Sequence, residues 1–189
     1  AQRLSMYRLR ADVTIEDSGL PVARGLGDVP EEIAGDGAGR TYDDPRSAAL
    51  GWRAYGLRGG DPSIDWDAIR VAGTIPETGI ELIPNESFIL EMGLERLGGV
   101  DHRKGCYVGQ EVTARMKHKT ELRKGLVTVT IAGAAEPGTD LVDDEGRVAG
   151  TLHTVSGGLA LAYLRFDRAQ GPLHAGAAVV TWPDAAALA

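Results

Sequence analysis

The chain has 189 residues, of which 43% are hydrophobic and 25% charged, and its net charge is −7. This composition is that of an ordinary globular protein, long enough for one medium domain or two small ones. The acidic balance argues against a general nucleic-acid binder, so no direct DNA binding is expected. There is no apolar run of about 18 residues, so neither a transmembrane helix nor a membrane partner is predicted. The single cysteine excludes an internal disulfide and is typical of a reducing compartment. We interpret the protein as a cytoplasmic monomer.

Apolar residues alternate at the start of the chain, at Leu4, Met6 and Leu9 and then at Val13 and Ile15. Period-two alternation predicts β-strands. Because the chain opens directly into this pattern, we expect these strands to be the end of a domain whose earlier part is missing. Residues 24–46 are rich in Gly, Asp and Pro and are predicted to form a surface loop. The following run, SAALGWRAYG, is predicted to contain a short strand.

Two helices are predicted in the next part of the chain. The first begins at Asp61-Pro62-Ser63, because these residues favour a first helical turn, and it ends at Gly73. Its inward positions are Ile64, Ala68, Ile69 and Ala72, with Trp66 on the flank. The second helix is predicted within residues 85–99, where the inward positions are Phe88, Ile89, Met92 and Leu97 and the terminator is Gly98-Gly99.

From residue 121 the sequence consists of short β-rich runs separated by Gly, Asp and Pro. Asp144-Glu145-Gly146 is typical of a hairpin turn between two of these runs. Four or five such strands indicate a small antiparallel barrel or sandwich. The sequence therefore predicts an α+β protein with a first domain over residues 1–120 and a β domain over residues 121–189, whose Ala-rich end is expected to fray.

The only cysteine lies in KGCYVGQEV, residues 104–112. Gly105 and Gly109 are expected to allow a left-handed backbone or close packing on either side of Cys106. A helix is expected from Gln110, with Val112 and Met116 on one face and a Glu111–Arg115 pair on its surface. Cys106 would precede that helix, where its partial positive charge and nearby Lys104 favour the thiolate. The alternative is a buried, inert cysteine.

Residues 101–124 contain seven basic and three acidic side chains, so this basic window has a net charge of +4 within an acidic chain. It is interpreted either as a solvated helix face or as a binding site for an anionic ligand. One cysteine and four scattered histidines lack the spacing of a metal site, so no metal is predicted. The same shortage argues against an iron–sulfur cluster held by this chain alone and against a cysteine protease.

KGCYVGQE, with the ARM that follows, closely resembles the signature of the YgfZ family of folate-binding proteins, relatives of the glycine-cleavage T-protein. The resemblance extends to DDPRSAALGWR, to DWDAIRVAGTIPETG and to the run from IPNESF into the motif. It covers most of the chain. The implied fold is a T-protein-like folate-binding α/β domain, lacking its N-terminal part, followed by a small C-terminal antiparallel β-barrel.

The resemblance implies a tetrahydrofolate-binding accessory protein that supports assembly or repair of iron–sulfur clusters in client enzymes, including tRNA-modifying ones. The motif positions are Lys104, Gly105, Cys106, Tyr107, Gly109, Gln110 and Glu111. Trp66 matches a tryptophan implicated in folate contact, although ordinary core packing is an equal alternative. A flat pterin suits an aromatic wall, and a folate tail, especially a polyglutamylated one, suits basic side chains such as Arg115.

Two other functions stay open. A folate-dependent aminomethyl or one-carbon transferase would use the same pocket, but the family's catalytic aspartate lies in the part expected to be missing. An RNA-associated module would use the basic window, but the net acidity and the few aromatic residues argue against it. We expect a protein that is not an enzyme in the ordinary sense, with Cys106 as its functional thiol.

Overall fold

The computed structural model describes residues 2–31, 40–60, 63–119 and 121–183. The chain divides into two compact units: Ala1–Asp44 with Gly51–Pro62, and Pro45–Leu50 with Ser63–Ala189. The second unit contains residues on both sides of position 120. The domain boundary near residue 120 therefore stays a prediction.

The first unit contains a three-stranded antiparallel sheet. Its strands are β1 (Val22–Gly25), β2 (Arg40–Asp43) and β3 (Trp52–Tyr55), in the order β1-β3-β2. Ala23, Trp52 and Ala54 form a small buried cluster on one face. The strand in SAALGWRAYG is confirmed. The surface loop predicted for residues 24–46 is wrong at both ends, which pair with β3; residues 32–39 lie outside the described residues.

The strands predicted near the start of the chain are also wrong. The helix α1 (Gln2–Ser5) occupies the first positions, and residues 6–21 form no strand. Leu4, Met6, Leu9 and Val13 are all exposed. Alternation alone does not make a strand, because a strand also needs a neighbour to hydrogen-bond with.

The second unit contains the 3-10 helix Ala48–Leu50 and the helices α2 (Trp66–Ala72) and α3 (Gln110–Lys119). Asp65 caps α2 by accepting a hydrogen bond from the Ala68 amide at 2.9 Å, and Gly73 ends the helix. The predicted start at Asp61-Pro62 lies outside the described residues. The predicted inward face is confirmed only at Ile69, which packs against a buried cluster; Arg70 and Val71 are the buried residues of α2, and Ala72 is exposed. No helix in the described ranges is long and apolar enough to cross a membrane.

The helix predicted within residues 85–99 is replaced by consecutive turns, called here the turn segment (residues 84–99). Its backbone hydrogen bonds have mixed spans: the Met92 amide donates four residues back, Gly93 three and Leu94 five. Gly93 has a φ of 71°, which a right-handed helix excludes. Met92 and Leu97 are buried as predicted, but Phe88 and Ile89 are exposed and Leu90 is buried instead.

A closed antiparallel barrel makes up the C-terminal part, as the sequence predicted. Its strand order is β4-β7-β6-β5-β8-β9. The strands are β4 (Lys124–Ala132), β5 (Asp140–Val142), β6 (Val148–Ser156), β7 (Leu159–Arg165), β8 (Leu173–Ala175) and β9 (Ala178–Thr181). Inward positions alternate along each strand and fill the interior with aliphatic side chains, among them Val129, Leu141, Leu152, Leu164 and Val180. The protein is therefore α+β. Residues 184–189, where fraying was predicted, lie outside the described residues.

The predicted hairpin at Asp144-Glu145-Gly146 joins β5 to β6, and Gly146 has a φ of 78°. Asp143 Oδ1 accepts hydrogen bonds from the amides of Glu145 and Arg147, at 3.0 and 2.9 Å. Its Oδ2 accepts one from the Arg147 guanidinium at 2.8 Å. The Arg147 amide bond, with further help from its guanidinium, lowers the pKa of Asp143. The turn is thus held by side-chain bonds as well as by its backbone.

A buried ion pair links α2 to the barrel. Arg70 Nη1 donates to Glu81 Oε2 at 2.9 Å, and Arg70 Nη2 donates to Thr154 Oγ1 on β6 at 3.0 Å. Thr154 in turn donates to Glu81 Oε1, and the Glu77 amide donates to Glu81 Oε2 at 2.9 Å. Arg70 and Glu81 are 2% and 1% exposed. Two buried charges are tolerated because each has several partners.

The carboxylate of Asp67 also pairs with the Arg70 guanidinium. Arg70 Nη2 donates to Asp67 Oδ1 at 2.9 Å, one turn earlier in α2. Burial by itself would lower the pKa of Arg70, but the bonds to Asp67 and Glu81 outweigh burial and raise it. Arg70 stays charged. Removing one of its partners would therefore leave the free-energy cost of burying this charge uncompensated.

We expect Arg70→Met to lower the free energy of unfolding by about 3–5 kcal/mol, because Glu81 would keep a buried charge without its counterion. The double variant Arg70→Met/Glu81→Leu should lose clearly less than the two single variants added together. Urea denaturation followed by circular dichroism measures all of these differences.

Arg96→Met is the matched control, since exposed Arg96 bonds only the Thr74 carbonyl among the described residues, at 2.7 Å. It should lose at most about 1 kcal/mol. An equal loss in Arg70→Met and Arg96→Met would contradict the central place given to the buried pair.

Candidate functional site

The KGCYVGQE motif forms an exposed loop followed by α3. Residues 103–109, called here the cysteine loop, are all exposed, and α3 begins at Gln110. Cys106 is a free and exposed cysteine. The alternative interpretation, a buried cysteine in the core, is therefore wrong. The thiol is accessible to a reagent or a protein partner.

Two interactions give the cysteine loop its shape. The Tyr107 amide donates to Gln110 Oε1 at 3.1 Å, and the Gln110 amide donates to the Tyr107 carbonyl at 3.3 Å. Lys104 Nζ lies 5.5 Å from the centroid of the Tyr107 ring, within cation–π range. The residues on both sides of Cys106 are therefore tied to one another and to the first residue of α3.

The two glycines of the motif differ. Gly109 has a φ of 88°, so it supplies the left-handed turn that leads into α3, as predicted. Gly105 has no positive φ, and no atom of the described residues lies within 4 Å of the position that a Cβ would take. The expectation of a special conformation or close packing at Gly105 is therefore wrong.

The helix α3 is also less amphipathic than predicted. Val112 is exposed and Met116 half-buried, while Thr113 is the buried side chain. Within the part of the chain that the structure describes, no ion pair joins Glu111 to Arg115, and both side chains are exposed. Such a helix gains little from burial, so its position depends on polar contacts at its ends.

One such contact comes from the turn segment, to which the sequence assigned no functional role. Glu95 lies 2.9 Å from Lys117 Nζ of α3 through Oε1 and 3.0 Å through Oε2. Four residues earlier, the Glu91 carbonyl accepts from the Leu126 amide of β4 at 2.8 Å, and its carboxylate accepts from Tyr163 of β7. Burial and this hydrogen bond raise the pKa of Tyr163, which stays a neutral donor. The turn segment thus connects α3 to the barrel strands β4 and β7.

The two residues predicted to contact folate lie on different helices. Trp66 is half-buried in the first turn of α2, and Arg115 is exposed on α3. An open cavity of about 290 Å³ lies instead on the barrel, lined by charged residues such as Asp143, Arg147 and Arg168. A pterin site would be larger and mainly apolar. This cavity therefore has neither the size nor the lining of a pterin site, and folate binding stays a prediction.

A metal centre finds no support in this geometry. Among the residues with a described position, no three His, Cys, Asp or Glu side chains are grouped so that they could hold a metal ion. The chemistry that the site offers is therefore that of a single accessible thiol with a lysine and a tyrosine beside it.

Comparison with protein families identifies the barrel. The model of the CAF17, C-terminal beta-barrel domain matches residues 123–187. This match covers the strands β4 to β9 and agrees with the six-stranded closed barrel.

Curated relatives match nearly the whole chain. The mouse protein "Iron-sulfur cluster assembly factor IBA57, mitochondrial" is 34% identical over 92% of this chain and 55% of its own length. The human protein of the same name is 29% identical over the same shares. A Neurospora crassa homologue is 36% identical over 51% of this chain and 24% of its own length. The chain thus spans about half the length of the mouse and human relatives. None of these names is that of the YgfZ family, so that finer resemblance stays a prediction.

The relatives also correct the predicted compartment. All three carry "mitochondrial" in their names, which contradicts the cytoplasmic interpretation. That interpretation depended on the single free cysteine, and one reduced thiol is equally compatible with any other reducing compartment. The chain is, over most of its length, similar to mitochondrial iron–sulfur cluster assembly factors and carries a CAF17-type C-terminal barrel.

Proposed function

We propose that this protein supports the assembly or repair of iron–sulfur clusters in client proteins by presenting the Cys106 thiol. The observation that carries the proposal is the free, exposed position of Cys106 within KGCYVGQE. The similarity to iron–sulfur cluster assembly factors over 92% of the chain supports the same function. Client enzymes that modify tRNA belong to this proposal as one class of partner.

The chemistry of one thiol limits what the protein does alone. A four-thiolate cluster needs ligands that a single cysteine cannot supply. Cys106 therefore acts together with a partner, either as one ligand to the partner's iron or as a thiolate that attacks the outer sulfur of a partner's persulfide, whose S–S bond breaks as the partner's own thiolate leaves. An exposed loop suits this task, because a partner has to approach the sulfur directly.

Tetrahydrofolate or a derivative is proposed as a ligand of the complete gene product. Trp66 would supply an aromatic wall and Arg115 a cation for the carboxylates of the folate tail. Since Trp66 and Arg115 lie on different helices and Arg115 is exposed, other parts of the protein would have to complete the pocket. No step assigned to Cys106 depends on folate.

We expect Cys106→Ser to fold normally, because an exposed side chain with no packing role is replaced by one of similar size. In cells lacking the protein, the variant expressed as the complete gene product should fail to restore the activity of iron–sulfur enzymes. Enzyme activity in extracts, normalised to the amount of the variant, measures this effect.

Gly105→Ala serves as the matched control, because its backbone conformation and surrounding space accept a methyl group. It should restore enzyme activity to the level of the unmodified protein. Full restoration by Cys106→Ser as well would refute a functional thiol and leave the cysteine as an ordinary surface residue.

For the folate proposal, we expect Trp66→Ala to weaken tetrahydrofolate binding to the complete gene product by about tenfold, as loss of an aromatic wall costs roughly 1–1.5 kcal/mol. Isothermal titration calorimetry measures the affinity, and Trp182→Ala, which removes a barrel tryptophan stacked on Phe166, is the control. Equal affinities in the Trp66 variant and the unmodified protein would assign Trp66 to packing.

A further inference from the structure

The cysteine loop has few fixed points of its own. Within the described part of the chain, the hydrogen bonds and ion pairs of residues 103–109 reach only to Asp101 and Gln110. Thr113 is the one buried side chain among the described side chains of α3. The direction in which Cys106 points is therefore set where the loop and α3 join the rest of the unit.

At that base, one carboxylate contacts both sides of the loop. Glu95 Oε1 lies 3.7 Å from His102 Nε2, just before the loop, and 2.9 Å from Lys117 Nζ, in the last turns of α3. Residues 102 and 117 thus enclose the whole KGCYVGQE motif. Glu95 itself belongs to the turn segment, which is fixed to the barrel through Glu91.

A second contact closes the same base. The rings of His102 and His118 lie 6.4 Å apart between centroids in an edge-to-face arrangement. His102 Nε2 is buried and has no hydrogen-bond partner among the described residues, and the Glu95 carboxylate faces it. A small approach of the two side chains would complete that bond. The set of Glu95, His102, Lys117 and His118 is called here the base clasp.

We propose that Glu95 is a positioning residue that closes the base clasp and so fixes the frame in which Cys106 is presented. Its role in presenting the thiol rests on the function proposed above, but its mechanical role does not. Glu95 acts through His102 and Lys117 and not through contact with Cys106. A single exposed ion pair stabilises little, yet here it joins the two ends of a segment whose other hydrogen bonds, among the described residues, are local.

The mechanical part is tested by amide hydrogen exchange on the purified chain, read from peptides within residues 100–119. We expect Glu95→Ala to speed exchange of the α3 amides about two- to fivefold, the range that one exposed ion pair supplies. High salt should reduce this difference, because screening weakens the pair in the unmodified protein. Peptides from the barrel should not change.

Two further variants make the test specific. Glu86→Ala removes an exposed carboxylate of the same turn segment, one that makes no hydrogen bond or ion pair with described residues, and should leave exchange unchanged. The exchanged pair Glu95→Lys/Lys117→Glu should restore protection of α3, since the opposite charges meet again. Exchange in Glu95→Ala equal to that of the unmodified protein, or equally fast exchange in Glu86→Ala, would overturn the proposal.

The consequence for function has its own readout. In cells lacking the protein, Glu95→Ala should restore iron–sulfur enzyme activity only partly, and the exchanged pair should restore more. Faster exchange with full restoration by Glu95→Ala would overturn the functional part of the inference. Failure of the proposed function shows separately, as full restoration by Cys106→Ser, and would leave the exchange result intact.

Discussion

The buried ion pair between Arg70 and Glu81 is the interaction on which the second unit depends. It joins α2 and the turn that follows α2 to strand β6, where Thr154 lies 84 positions after Arg70 in the sequence. Because an incompletely paired charge is costly in a protein interior, every partner has to be in place at once. The barrel therefore serves as a fixed support for the helical part of the same unit.

From the barrel through the turn segment to Cys106, the residues become progressively more exposed to solvent. The turn segment is attached to the barrel by Glu91, which bonds both β4 and β7. Glu95 then reaches from the turn segment to α3, and the cysteine loop lies beyond it. Functional residues are often found on loops positioned by a rigid scaffold, and this order of attachment provides such an arrangement. A thiol that has to meet a partner protein needs an accessible tip and a defined base.

The sequence predicted those parts of the fold whose pattern is local. The barrel strands alternate with period two and are separated by turn residues, so they were recognisable, as was the hairpin at Gly146. The turn segment was mistaken for a helix because its apolar spacing is helical, while the left-handed backbone at Gly93 has no signature that distinguishes it from a helix end. The burial of Arg70 was not predicted, because its partners Glu81 and Thr154 are 11 and 84 positions away in sequence. For the same reason, Glu95 was not recognisable as part of the site, whereas the position of Cys106 before a helix followed from its neighbours.

The function proposed for this protein requires Cys106 to be an accessible thiol and not a packing residue. Titration of the purified chain with a chromogenic thiol reagent, in native buffer and again in urea, tests this accessibility most directly. One equivalent of thiol should react in the folded protein, at a rate comparable with that of the unfolded chain, because the sulfur lies in an exposed loop. A thiol that reacts only after unfolding would instead place Cys106 in the protein interior.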